Sequence, residues 1–122
     1  MILLDTSVLI DGFCGPRTSE FRLRRLISSD EVLLPAIVLY EWLRGQRSAG
    51  ELSDQENVLP SDEAIPFGRA EAAIAARIYR TVKSPRSREI DIAIAATAIS
   101  HDASLWTLNR RDFEDVPRLR LL

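Results

Sequence analysis

The sequence has few of the side chains that commonly carry catalysis. Cys14 is the only cysteine and His101 the only histidine. An internal disulfide, a cysteine-rich zinc site and a two-histidine zinc site are therefore excluded. The nucleophile motif G-x-S-x-G and the phosphate-loop motif G-x-x-x-x-G-K-[ST] are also absent. Any chemistry of this chain must rely mainly on its carboxylates.

Long apolar runs are lacking as well. The longest is far shorter than the roughly 20 residues that cross a bilayer, and residues 1–5 have no basic flank of the kind that opens a signal peptide. We therefore expect a cytoplasmic protein without a membrane segment. The 122 residues, 46% hydrophobic and 28% charged, predict one globular domain over 1–122.

One kind of cation is almost missing, because Lys83 is the only lysine and arginine supplies the rest of the 16 basic residues. Arginine binds phosphate and carboxylate through two donors at once, which would suit a nucleic acid or an acidic partner. A genomic base composition that favours arginine codons would explain the same bias. The net charge of −2 does not indicate a general polyanion binder.

Short apolar runs alternate with helical patterns along the chain. Strands are predicted at 2–4, 32–34 and 105–107, and more weakly at 64–66 and 119–122. Helices are predicted from about Ser7 and at 21–29, 36–46, 70–82 and 90–100, while 50–63 forms a short helix or a loop. This order predicts an α/β fold, a central parallel sheet of four to five strands with helices on both faces. In such sheets the functional crevice lies beyond the carboxyl ends of the strands, which here points to Asp5 and 107–109.

Three acidic residues emerge from apolar elements. Asp5 follows the first strand, where it either caps the next helix or belongs to a site. Glu41 lies on or beside the apolar face of its helix, so it needs a cationic partner, either an arginine or a metal. Asp91 opens the most apolar helix, where it either favours the helix dipole or faces a site.

A fourth polar group follows the last helix. In Thr-Leu-Asn-Arg-Arg-Asp-Phe, residues 107–113, Asn109 and Asp112 can form an arrangement like a capping box. Alternatively, Asn109 or Thr107 offers an oxygen to a metal or its water.

Four segments together resemble a PIN domain, and more narrowly the VapC-type toxins of bacterial toxin–antitoxin pairs. They are Asp-Thr-Ser after the first strand, Glu41 in mid-helix, Asp91 before Ile-Ala-Ile-Ala-Ala-Thr-Ala, and the closing Thr-Leu-Asn-Arg-Arg-Asp-Phe. The resemblance covers essentially the whole chain. It implies a three-layer sandwich with Asp5, Glu41 and Asp91 as the core acids, and with Asn109 or Asp112 at the fourth position.

The resemblance implies a metal-dependent endoribonuclease. Oxygen ligands without histidine or cysteine suit Mg²⁺, with Mn²⁺ as a substitute, and such an ion can activate water against a phosphodiester. We assign Asp5 and Asp91 as direct ligands and Glu41 as a ligand or a water-orienting base. Asn109 lies nearer its strand end than Asp112, so we expect Asn109→Ala to lower activity more than Asp112→Ala. Supporting hydrogen bonds are expected from Thr6, Ser7 and Thr107, and RNA phosphate contacts from Arg44, Arg47, Arg110 and Arg111.

The same resemblance implies a cognate antitoxin and a homodimer, beside the RNA substrate. The segment 21–29 offers a landing surface for an acidic amphipathic partner, because apolar and basic residues alternate in it. The alternative is an ordinary amphipathic helix with solvated arginines. The residues concerned are Phe21, Arg22, Leu23, Arg24, Arg25, Leu26 and Ile27.

Other functions remain open at this point. A housekeeping PIN nuclease for RNA processing and a non-catalytic PIN-fold binding module would share these residues. A haloacid-dehalogenase-type phosphatase is disfavoured, because Ser7 stands where its second aspartate is expected. A response receiver is disfavoured because Lys83 lies in a charged loop.

Overall fold

A computed structural model describes residues 1–16 and 18–122 and has the predicted α/β order. Within this part, three short strands alternate with six α-helices, and short 3₁₀ helices occur at Ser61–Glu63 and Arg110–Asp112. The strands and α-helices are β1 (Ile2–Leu4), α1 (Thr6–Phe13), α2 (Glu20–Ser29), β2 (Val32–Leu33), α3 (Ala36–Arg44), α4 (Ala49–Val58), α5 (Arg69–Thr81), α6 (Glu89–Ser100) and β3 (Ser104–Trp106).

The sheet is parallel, and β1 is its central strand in the order β2-β1-β3. Leu3 lies opposite both Leu33 and Leu105. The chain moves from β1 to one neighbour and later crosses back to the other. Since such crossovers are right-handed, the connecting helices cover both faces of the sheet. All of β1 is consequently buried, as its apolar run predicted.

The two weaker predicted strands are reduced to single bridges. Ile65 forms a parallel bridge with Pro35, which follows β2 in the chain. Leu121 forms a parallel bridge with Leu105, which belongs to β3. The count of four to five strands is thus compatible with the sheet, but the described residues form only three named strands. Proline explains why the bridge between Pro35 and Ile65 does not grow into a strand pair, because Pro35 and Pro66 have no amide hydrogen to extend the hydrogen-bond ladder.

Helix α6 is the centre of the core, as its composition predicted. Ile92 to Ala98 are all buried, and the helix packs against α3, α5 and β3. Asp91 comes one residue before this buried stretch, so the core fixes the position of its backbone. None of the helices in the described ranges combines the length and the apolar character needed to cross a bilayer.

Candidate active site

Two hydroxyl groups hold the carboxylate of Asp5 at the C-terminal end of β1. Asp5 is only 4% exposed. Its Oδ2 accepts hydrogen bonds from Ser7 Oγ at 2.8 Å and from Thr107 Oγ1 at 2.6 Å. Thr107 directly follows β3, so the second bond joins the ends of two neighbouring strands. Asp5 stands at the N-cap of α1, but its side chain does not cap the helix. Asp5 therefore does not act as the side-chain cap of α1 that its position in the sequence allowed.

Glu41 reaches the same region from α3. Its Oε1 accepts a 2.6 Å hydrogen bond from Thr6 Oγ1, and its Oε2 lies 3.3 Å from Nη2 of Arg44. The arginine partner that the sequence offered as one alternative therefore exists. However, the Arg44 side chain is 51% exposed, and exposed ion pairs contribute little to stability. The pair leaves Glu41 able to exchange this arginine for a stronger cation.

Asp91 is half-buried in the first turn of α6 and resists ionisation. Burial, and then the negative charges of Asp5, Asp112 and Glu41, raise the pKa of Asp91 to about 6, while the positive charge of Arg88 opposes the rise. Carboxylates from four separate segments therefore share one electrostatic environment. This mutual repulsion is the property that a bound cation would relieve.

Asn109 and Asp112 both lie near the three acids, but they act differently. Asn109 lines the same cleft as the acids, whereas Asp112 acts through its charge on the pKa of Asp91. Asn109 stands at the start of the 3₁₀ helix without a side-chain capping bond. The capping arrangement that the sequence allowed is therefore not formed by Asn109.

Arg88 ties the segment of Asp112 to the start of α6. Its Nη1 and Nη2 donate to the two carboxylate oxygens of Asp115 at 2.9 and 2.6 Å, and Nη2 also donates to the Asp112 carbonyl at 3.0 Å. The hydrogen bond to Asp115 raises the pKa of Arg88, so the guanidinium stays charged. This clamp fixes Asp112 close to Asp91.

One cleft of about 440 Å³ brings most of the predicted side chains together, and this volume is typical of small-ligand sites. The cleft opens at the carboxyl ends of β1 and β3, where the fold class predicted it. It is lined by Asp5, Thr6, Ser7, Ile10, Asp11, Gly15, Pro16, Glu41, Asp91, Leu108 and Asn109. Thr107 is only 5% exposed and does not line the cleft, but its hydroxyl donates a hydrogen bond to Asp5.

The donors at this cleft fit a hard divalent cation in their chemistry. They are carboxylate, hydroxyl and amide oxygens, without histidine or cysteine. Across 1–16 and 18–122, however, no three Asp, Glu, His or Cys side chains are arranged as a ready metal cluster. Hydroxyl groups instead donate hydrogen bonds to Asp5 and Glu41 individually. The residues fit the ion by charge and donor type.

The arginines predicted to contact phosphate do not line the described walls of the cleft. Arg47 lies 4.3 Å over the Trp42 ring and donates to the Trp42 carbonyl at 3.0 Å. Arg110 donates to the Leu122 carbonyl at 2.7 Å. Phosphate contact at the rim stays a prediction for Arg44, Arg47, Arg110 and Arg111.

The sequence interpretation missed Asp11, which is buried beside the cleft. Asp11 Oδ2 accepts hydrogen bonds from Thr18 Oγ1 at 2.7 Å and from the Ser19 amide. The bonds from Ser19 lower the pKa of Asp11 despite its burial, so it anchors the loop before α2 as a carboxylate. Its spacing of four residues from Ser7 on α1 was a signal, because that spacing places both on one helix face.

Known proteins resemble the chain over its full length. The PIN domain family matches residues 2–119. Ribonuclease VapC19 of Mycobacterium tuberculosis is 32% identical over 123 residues, which cover 98% of each chain. Ribonuclease VapC of Rickettsia bellii is 29% identical over 130 residues, which cover 99% of this chain and 94% of the relative.

Solved structures share the fold. FitAcB from Neisseria gonorrhoeae superposes with a TM-score of 0.76 and 26% identity, covering 100% of this chain and 97% of its own. DNA-bound VapBC from Salmonella typhimurium gives a TM-score of 0.78 and 23% identity, covering 99% and 96%. With the family match spanning nearly every residue, the chain belongs to the PIN domain family.

Proposed function

We propose that this chain is a divalent-metal-dependent endoribonuclease and the toxin of a toxin–antitoxin pair, acting on RNA in the cytoplasm. The observation that carries the proposal is that Asp5, Glu41 and Asp91 come from three elements to line one cleft. The repulsion that raises the pKa of Asp91 favours a cation there. The relatives named ribonuclease VapC support RNA as the substrate.

Mg²⁺, or Mn²⁺ in its place, would be held by Asp5 and Asp91, with Glu41 as a further ligand or as the base that orients water. When bound, the ion supplies positive charge that offsets the phosphodiester and acidifies a water. Ser7 and Thr107 orient the carboxylate of Asp5. Thr6 orients Glu41, whose carboxylate can accept the proton of the attacking water.

An antitoxin is the proposed protein partner, in keeping with the VapBC complexes that share the fold. Helix α2 offers it one exposed aromatic ring and several exposed arginines, while Leu26 and Ile27 are partly buried against the core. Phe21 is 72% exposed, whereas Leu23 is buried and belongs to the core. Arg22 lies 4.9 Å over the Trp106 ring. An acidic amphipathic segment would match this surface in charge. We also propose a homodimer, which light scattering of the purified protein will test.

Induction of the chain in a bacterial host tests the function directly. We expect growth arrest that is relieved by co-expression of the protein encoded next to it and lost in Asp5→Asn. Normal growth with abundant wild-type protein would instead favour a housekeeping PIN nuclease or a non-catalytic PIN-fold module. Cleavage of cellular RNA without growth arrest would separate the first of these from the second.

A further inference from the structure

Two aliphatic side chains flank the acids inside the cleft, and the proposed chemistry does not use them. Ile10 and Leu108 both line the cleft, and they are 39% and 47% exposed. Ile10 follows Thr6 by four positions and Ser7 by three on α1, so helical spacing places it on the face that carries those two hydroxyls. Leu108 comes from the other wall, directly after Thr107. A single exposed leucine is ordinary, but two apolar walls around a carboxylate cleft indicate a ligand with an apolar face.

The position of Leu108 is fixed relative to Asp5. The Leu108 amide donates to Ser7 Oγ at 3.0 Å, and the same hydroxyl donates to Asp5 Oδ2 at 2.8 Å. The next amide, of Asn109, donates to Thr107 Oγ1 at 2.9 Å, and Thr107 itself donates to Asp5. One network of hydroxyls therefore joins the carboxylate of Asp5 to the backbone of the exposed leucine.

We propose that Ile10 and Leu108 form a subsite for an unpaired nucleobase next to the cleaved phosphodiester. The inference rests on the proposed ribonuclease function. In a single strand, a phosphate lies beside its own base, so a phosphate at the acids brings a base to the adjoining wall. Leucine and isoleucine side chains contact base faces and hold bases out of the stack in other nucleic-acid complexes, and single-stranded RNA presents such unstacked bases.

The subsite acts on binding rather than on the chemical step. Ile10 and Leu108 carry no polar side-chain atoms, so they cannot move a proton or stabilise developing charge. Their contact with a base is the same before and during bond cleavage. Loss of such a uniform contact raises KM and leaves kcat unchanged. This separates the pair from Asp5, Glu41 and Asp91, whose loss lowers kcat.

A cycle of protein and RNA changes tests the subsite. The probes are a short single-stranded RNA that the wild type cuts at one place and the same RNA with abasic riboses on both sides of the cut. We expect Leu108→Ala and Ile10→Ala each to raise KM on the intact RNA roughly three- to tenfold. Neither substitution should change KM on the abasic RNA. Leu108→Phe, which keeps an apolar face, should retain the wild-type KM.

Leu43→Ala is the matched control, because Leu43 is 52% exposed on α3 and does not line the cleft. Equal losses on intact and abasic RNA would overturn the base contact, as would an unchanged KM on intact RNA. Weaker binding of the antitoxin with unchanged RNA kinetics would assign the two walls to that protein instead. If the wild type cuts no RNA with Mg²⁺ or Mn²⁺, the ribonuclease function itself fails, and the subsite with it.

Discussion

Thr107 donates a 2.6 Å hydrogen bond to Asp5 across 102 positions of the chain. Both residues are buried, and each directly follows a strand of the parallel sheet. The pairing of β1 with β3 thus places a hydroxyl against the first acid of the cleft. The orientation of Asp5 is therefore a property of the sheet, reinforced by Ser7 from α1.

Thr107→Val tests this support, because valine keeps the shape and removes the hydroxyl. We expect kcat/KM for RNA to fall about tenfold, the size typical of groups that orient a metal ligand. Stability should fall by about 1 kcal/mol. Thr81→Val is the control, since its hydroxyl makes an exposed hydrogen bond to the Arg77 carbonyl within α5. Unchanged cleavage by Thr107→Val would show that the orientation of Asp5 does not depend on this bond.

Asp91 should make the metal-free protein less stable as the pH rises. Its pKa in the folded protein is about 6, above the ordinary 3.8, so the folded state binds the proton more tightly than the unfolded chain. The stabilisation is complete below about pH 4 and is lost as the pH rises through 6. Asp91→Asn imitates the protonated form. Its stability advantage over the wild type should grow to about 1–2 kcal/mol at pH 7, after allowance for solvent screening of a half-buried group.

Denaturation in EDTA at pH 4 and pH 7 measures this difference. Comparing the wild type with Asp91→Asn cancels the contributions of the other acids to the pH dependence of stability. Asp11 and Glu71 are examples, because their lowered pKa values act with the opposite sign. Mg²⁺ at pH 7 should stabilise the wild type and reduce the advantage of Asp91→Asn. An advantage that is equal at both pH values would contradict the electrostatic account of the cleft.

Asn109 and Asp112 should be separable by metal concentration. Asp112 acts by charge on Asp91, so Asp112→Asn should weaken Mn²⁺ binding, and excess Mg²⁺ should restore its cleavage. Asn109 lines the cleft, so Asn109→Ala should lower cleavage even at saturating metal. RNA kinetics over a range of Mg²⁺ concentrations will distinguish them. The reverse pattern would give the role in the cleft to Asp112.

The Arg88 clamp should contribute more to the free energy of unfolding than an exposed ion pair does. Arg88→Gln removes donors from both oxygens of Asp115 and from the Asp112 carbonyl, and we expect a loss of about 1–2 kcal/mol. The control is Arg120→Gln, because the pair of Arg120 with Asp102 is exposed on both sides and should contribute less than about 0.5 kcal/mol. Urea unfolding compares the two variants. Equal losses would mean that Arg88 does not clamp the Asp112 segment.

The sequence predicted the strands and helices whose pattern is strongest. Local composition alone indicates β1, β3 and α6, because the two strands are short apolar runs and the helix is apolar on all sides. Their positions could therefore be predicted. The edges of the sheet, at 64–66 and 119–122, were predicted only weakly, because Ile65 and Leu121 make single bridges that depend on which strands lie beside them. Likewise, the choice between helix and loop for 50–63 was decided by a capping box at Ser48.

The acids of the site were readable for a similar reason. A carboxylate that emerges from an apolar element, as Asp5, Glu41 and Asp91 do, signals an unusual position. Supporting hydroxyls at Thr6, Ser7 and Thr107 were expected beside them, but the Arg88 clamp gave no such signal. Arg88 and Asp115 are 27 positions apart, and no periodicity links them. Leu108 and Ile10 were overlooked because an exposed aliphatic residue has no pattern of its own, and only the cleft brings the two together.

Cleavage of an end-labelled RNA by the purified protein tests whether the cleft is a metal-dependent nuclease site. We expect the wild type to cut the RNA with Mg²⁺, EDTA to stop cleavage, and Asp91→Asn to lower kcat roughly 100-fold or more while remaining folded. Asp102→Asn, an exposed aspartate outside the cleft, should cut as the wild type does. Equal cleavage by Asp91→Asn and wild type at the same Mg²⁺ concentration would exclude Asp91 from the nuclease site.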